Sequence, residues 1–217
     1  MYILPRDQVP ALLAALAADH DLYGPVVRAD GGDPMFERID DPAAARLDAP
    51  ITYNPPKFAV FPQAERILSY RYDRETRQAA IVREDLVRPK ALVGIRACDL
   101  TGLLCLDRFF LGQEYVDEVY RDHRKKMFVL ANTCVRPFPQ CFCVCTDSGP
   151  AAREGYDAAL TAVGDRYLYE AGSEKGEALA RRLGLKEAGP DAAAAKQAAV
   201  DASIARFDAE ATENKAW

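Results

Sequence analysis

Two short apolar runs, Ala91-Leu-Val-Gly-Ile95 and Met127-Phe-Val-Leu-Ala131, constrain the fold of this chain more than any other feature. Runs with no polar position suit strands covered on both faces, not amphipathic surface strands. Between them lie an apolar segment, Leu100 to Leu111, and a polar one, Glu114 to His123, both helical in character. A strand, a helical crossover and a strand close into a right-handed parallel unit. The spacing therefore predicts an α/β domain with a mixed, mostly parallel sheet flanked by helices.

Around this unit the signals are coarser. Asp7 is placed to cap a helix with Pro10 in its first turn and Leu12, Leu13 and Leu16 on its apolar stripe, ending near His20. Val26-Val27 and Met35-Phe36, set between Gly-Pro and Gly-Gly-Asp-Pro punctuation, read as strands joined by turns. Tyr53-Asn-Pro-Pro-Lys57 must be extended or turned, because each proline restricts itself and the residue before it. Tyr156 to Val163 and Arg166 to Tyr169 suit strands, and Ser173 opens a helix with Glu174 and Glu177 in its first turn. Past Gly189-Pro190 the composition turns to Ala, Asp, Lys and Gln, which predicts a solvated helix with few large apolar residues. The expected division is an α/β domain over residues 1–190 and a helical tail or lead-in over 191–217.

The chemistry concentrates in six cysteines, Cys98, Cys105, Cys134, Cys141, Cys143 and Cys145. Cys98 follows the first apolar run by three residues, and Cys134 follows the second by three. Both are thus expected at the carboxyl edge of the parallel strands, where open α/β sheets bind ligands. Cys98 also falls where the next helix begins, a place whose free amides favour a thiolate. Cys141, Cys143 and Cys145 alternate with Phe142 and Val144, so an extended chain turns them the same way, and at most two are expected to reach one centre. Four thiolates suit a 4Fe-4S cluster or a structural zinc ion. The expected ligands are Cys98, Cys134, Cys141 and Cys143, with Cys145 as the reserve for the fourth. Buried free thiols and an exchanging pair at Cys141 and Cys143 are the other readings of the same residues.

Cys105 sits among Leu103, Leu104 and Leu106, seven positions after Cys98, and is expected in the core. Arg96 and Arg136, with Lys57, are candidates to offset the negative charge of a thiolate-ligated centre, or are plain surface charge. His20 and His123 lie in polar helical contexts and are expected to be exposed. Gly172-Ser-Glu-Lys-Gly176 lacks the full spacing of a phosphate loop and reads as a helix start. With 28 basic against 33 acidic residues, the chain has no general surface for nucleic acid, and no stretch reaches the ~20 apolar residues of a membrane span. Its first residues lack the pattern of a signal peptide, so a cytoplasmic location is expected.

These stretches resemble the beta, or electron-transfer, subunits of soluble sulfhydrogenases and the A subunit of anaerobic sulfite reductase. The residues that carry the resemblance are Pro55-Pro-Lys57 with Pro62 and Glu65, Val93-Gly-Ile-Arg-Ala-Cys-Asp-Leu100, Leu106-Asp107 with Phe110-Leu111, Asn132-Thr-Cys134, Cys141-Phe-Cys143 running to Ser148-Gly-Pro150, and Gly172 to Gly176. The resemblance implies an iron-sulfur electron-transfer role within a larger cytoplasmic oxidoreductase of hydrogenase or sulfite/sulfur reductase type. It implies one 4Fe-4S cluster on Cys98, Cys134, Cys141 and Cys143, and catalytic and flavin or ferredoxin-like subunits as partners. Cys105 and Cys145 look particular to this sequence. Ala97 replaces a proline common in the family, and Val144-Cys145-Thr-Asp147 alters the loop after the Cys-x-Cys. Family members usually continue into a domain with two further clusters, whereas this chain ends at Trp217 without such cysteines. It is therefore expected to be an N-terminal domain or a stand-alone relative, and not to complete a reaction alone. The alternative expectation is an interaction or regulatory module in which zinc binds the same cysteines.

Overall fold

The computed structural model describes residues 1–28, 31–49, 51–66, 68–82 and 87–213. Its elements run β1 (Tyr2–Pro5), α1 (Val9–Ala17), β2 (Asp21–Val26), β3 (Met35–Ile39), β4 (Ser69–Asp73), β5 (Gln78–Val82), β6 (Lys90–Arg96) and α2 (Ala97–Leu111). They continue with α3 (Glu118–Lys125), β7 (Met127–Asn132), β8 (Ala158–Val163), β9 (Arg166–Ala171), α4 (Glu174–Arg182), β10 (Lys186–Glu187) and α5 (Ala192–Glu213). The last part of the expected tail, 214–217, lies outside the described residues.

Eight strands form one sheet in the order β10-β1-β9-β8-β7-β6-β2-β3, and β4 and β5 pair separately as a hairpin. The expected mixed α/β sheet, with flanking helices and a C-terminal helix, is present. β2, β6, β7 and β8 are mutually parallel at its centre. Antiparallel strands extend it on both sides. The crossover from β6 to β7 runs through α2 and α3, with Asp117 capping α3 by accepting from the Tyr120 amide at 2.9 Å.

The core divides into two layers, one per face of the sheet. On one face Leu12, Leu13 and Leu16 of α1 and Leu179 of α4 cover Ala91, Val93, Phe128 and Leu130. On the other, Leu100 and Leu103 of α2 and Tyr120 of α3 cover Leu92, Ile95, Met127 and Val129. This is why both central strands are apolar at nearly every position.

One local irregularity changes the facing of β6. The pairing with β7 shifts register between Val93 and Ile95, and Gly94 has φ +74°, a conformation that side chains other than glycine's rarely adopt. Strict alternation would put Ile95 on the same face as Ala91 and Val93. The bulge puts it with Leu92, under α2, and so sets how the chain leaves β6 toward Arg96 and Cys98.

Several local expectations are corrected. α1 begins at Val9 with no side-chain cap, because Asp7 sits in a separate 3-10 turn over Arg6–Gln8. α3 begins at Glu118, later than the polar run suggested. His123 is buried, not exposed. It lies one turn after Tyr120 on the face of α3 that covers the sheet, and its Nε2 meets Glu65 Oε1. His20 is half-buried, with Nδ1 at 3.2 Å from the Leu16 carbonyl. β1, β10 and the β4–β5 hairpin have no counterpart in the expectations.

Candidate metal centre

Cys98 lies in the first turn of α2, two residues after the end of β6, and Cys134 lies two residues after the end of β7. Both are therefore at the carboxyl edge of the parallel strands. Cys141 and Cys143 belong to the loop that joins β7 to β8. The four line a single cavity of about 260 Å³, far larger than the ~30 Å³ occupied by one water. Its walls are almost wholly apolar, contributed by Ile51, Ala97, Phe138, Phe142, Pro150 and Phe207.

The loop is shaped by its own backbone. The Cys134 amide donates to the Pro150 carbonyl at 3.0 Å and the Cys141 amide to the Phe138 carbonyl at 2.9 Å. Cys141, Phe142 and Cys143 all reach the same cavity, so the segment turns and does not alternate as an extended strand would. After Cys143 the chain turns, with Cys145 N–H donating to Phe142 O and Ser148 N–H to Cys143 O, each at 2.9 Å. The turn leaves Cys145 exposed and outside the cavity lining. Gly149 passes so close that a Cβ there would lie 2.8 Å from Cys143 Sγ. Phe138 N–H donates to Cys141 Sγ at 3.3 Å, and Cys134 Sγ donates to the Arg136 carbonyl at 3.5 Å.

Burial dominates the electrostatics of three of the thiols. Desolvation, then the Asp99 carboxylate and the charge of Cys143, push the Cys98 thiol up to about 12, although the residue as a whole keeps exposed surface. Desolvation also raises Cys134, opposed by the Arg96 guanidinium. Cys143 is raised by desolvation and then by the charges of Cys134 and Cys141. In the metal-free protein these groups therefore favour the thiol form. Binding a metal centre would have to displace their protons.

Among the described residues, no group of three or more His, Cys, Asp or Glu side chains is gathered to hold a metal ion. A single zinc ion draws four sulfurs to about 2.3 Å from one point, whereas a cluster takes its ligands at separate corners. Thiol donors around an apolar cavity suit the chemistry of either. All six cysteines are free thiols.

Arg96 and Arg136 both border the cavity, and Arg96 donates to the Ala49 carbonyl. Lys57 is exposed and not part of the lining. Cys105 is exposed, contrary to its expected place in the core. The buried stripe of α2 is Ala97, Leu100 and Leu103, and Cys105 lies two residues past Leu103, about 200° around the helix. Gly172 to Gly176 forms the start of α4, with the Ser173 hydroxyl accepting from the Gly176 amide.

Residues that the sequence reading passed over come from α5. Ser203 is buried and donates to the Cys134 carbonyl at 2.7 Å, while Arg206 donates to the Val135 carbonyl at 3.1 Å. Phe207, the sole aromatic of that helix, is buried against the cysteine cavity. A serine and an aromatic one turn apart in an alanine-rich helix were the available sign of a packed face.

Compared with known proteins, the chain is similar to the sulfhydrogenase 2 subunit beta of Pyrococcus furiosus, with 27% identity over 157 residues. That match covers 71% of this chain, which in turn spans 43% of the length of this curated relative. No family model matches, and no solved structure matches. No helix among the described residues is long and apolar enough to cross a membrane.

Proposed function

We propose that this chain is the iron-sulfur electron-transfer part of a larger oxidoreductase of hydrogenase or sulfite/sulfur reductase type, with catalytic and flavin or ferredoxin-like subunits as partners. Cys98, Cys134, Cys141 and Cys143 are the ligands of one 4Fe-4S cluster. The single observation that supports this is the meeting of four thiols from separate stretches of chain in one apolar cavity. The similarity to a sulfhydrogenase beta subunit points the same way.

When bound, such a cluster supplies a one-electron relay. The chain's own residues do the rest. Arg96 stabilises the Cys134 thiolate and offsets negative charge beside it. The start of α2 brings the Asp99 amide to the Cys98 sulfur, and Phe138 N–H does the same for Cys141. Hydrogen bonds of this kind to sulfur tune a potential. Ala97, Pro150 and Phe207 keep water from the inner wall. Residues 1–190 supply the ligands, and the helix that follows closes one side of their cavity with Phe207.

Anaerobic purification with iron counting and electron paramagnetic resonance tests the reading. Roughly four irons per chain, a visible absorption band and a signal on reduction are expected. Zinc in place of iron would assign the same cysteines to a structural site. A colourless chain with a reversible dithiol titration would assign Cys141 and Cys143 to thiol exchange.

A further inference from the structure

A second cavity adjoins the first along the same edge of the sheet, and the two share Arg96, Cys134 and Arg136. It has a volume of about 310 Å³ and lies past the carboxyl ends of β1, β6 and β7, against the side of β8 and the start of β9. Its character is opposite to that of the cysteine cavity. Three guanidinium groups border it, those of Arg6, Arg96 and Arg136, against one carboxylate, that of the exposed Asp48.

These arginines come from three separate stretches of chain. Arg6 is held in place by Tyr167, its guanidinium stacked 4.8 Å over the ring centroid, and it donates to the Tyr167 hydroxyl at 3.5 Å and the Gly164 carbonyl at 3.3 Å. Arg96 is tethered through one nitrogen to the Ala49 carbonyl. Each guanidinium carries five N–H donors, so donors remain for a ligand after these bonds. Planar, pre-positioned guanidinium groups suit oxyanions because they donate in pairs along one edge.

Asn132, 4% exposed at the end of β7, lines this cavity. Its Nδ2 donates to the Leu47 carbonyl at 2.6 Å, and its Oδ1 has no surface open to the cavity. Three cations against one carboxylate call for an anionic ligand.

We propose that this cavity binds a small oxyanion of the phosphate class. Arg6, Arg96 and Arg136 take its charged oxygens. Of the cysteine ligands only Cys134 lines it, and anion binding does not require the cluster.

Calorimetric titration of the full chain with inorganic phosphate, at neutral pH and physiological ionic strength, tests this in metal-free and iron-loaded protein alike. Saturable one-site binding is expected in both. Arg136→Gln and Arg6→Gln, both at exposed positions, should each weaken it by roughly tenfold, the loss of one charge-assisted hydrogen bond. Chloride offers no pair of oxygens to a guanidinium edge and should bind at least roughly tenfold more weakly. Absence of saturation, unchanged affinity in both arginine variants, or chloride equal to phosphate would each overturn the proposal. Phosphate binding in a chain that takes up no iron would leave it standing while removing the cluster reading.

Discussion

The hydroxyl of Ser203, on α5, donates to the carbonyl oxygen of Cys134 at 2.7 Å, across 69 residues of sequence. One turn further on, Phe207 closes the wall of the cavity that Cys134 lines. The C-terminal helix is thus part of the candidate centre, and its docking is coupled to the shape of the cysteine loop.

Phe207→Ala should cost roughly 3 kcal/mol, the usual loss for a buried phenylalanine, and Ser203→Ala about 1 kcal/mol. Hydrogen exchange should then rise in α5 and also at residues 134 and 135, where Ser203 and Arg206 make their bonds. Faster exchange confined to α5 would argue against the coupling.

Cys98→Ser should reduce bound iron and stability together. Cys105→Ser, on the exposed side of α2, should change neither. Equal iron loss in the two variants, measured after anaerobic reconstitution, would remove Cys98 from the ligand set.

At Gly149 an added methyl would stand 2.8 Å from Cys143 Sγ. Gly149→Ala should therefore displace that sulfur and lower iron uptake while the circular dichroism spectrum stays that of the parent. Full iron content in this variant would show that Cys143 is not held in the position it needs.

Gly94→Ala acts on the backbone instead, at φ +74° in the bulge of β6. A loss of about 1–3 kcal/mol in denaturant unfolding is expected. A neutral result would mean that the bulge relaxes at no cost.

Acid should release α5. Glu170 accepts from Lys196 Nζ at 2.6 Å and from the Tyr156 hydroxyl. Burial raises its carboxyl, but these two partners outweigh it and keep the group below its ordinary value of 4.5. A carboxyl depressed in the folded state contributes stability above its unfolded value, and that contribution disappears as pH falls through the folded value. Exchange at α5 should thus quicken below about pH 4.5, and Glu170→Gln should flatten this dependence. An identical pH profile in the variant would place the acid sensitivity elsewhere.

Much of the centre was legible from local pattern. The apolar runs at 91–95 and 127–131 are buried on both faces in the structure, and Cys98 and Cys134 stand just past their ends. Cys141 and Cys143 do line one cavity, but so does Phe142, because turns and not an extended strand shape this segment. Cys105 was misplaced for a reason equally local. Leucines surround it in sequence, but the face of a helix is decided by angle and not by neighbours. His123 was misplaced because its polar neighbours in sequence do not reveal that Glu65, 58 residues away, meets it in a buried position.

By itself, the amino-acid order determined the strand-helix-strand unit, its parallel direction and the edge at which two of the thiols emerge, since each follows from periodicity and chain connectivity over short range. Only the tertiary structure decided that α5 packs onto the Cys134 loop, that Gly94 turns Ile95 beneath α2, and that Arg6, Arg96 and Arg136 line one cavity. Those juxtapositions join residues dozens of positions apart, and they are set by which surfaces bury one another, which no local pattern records.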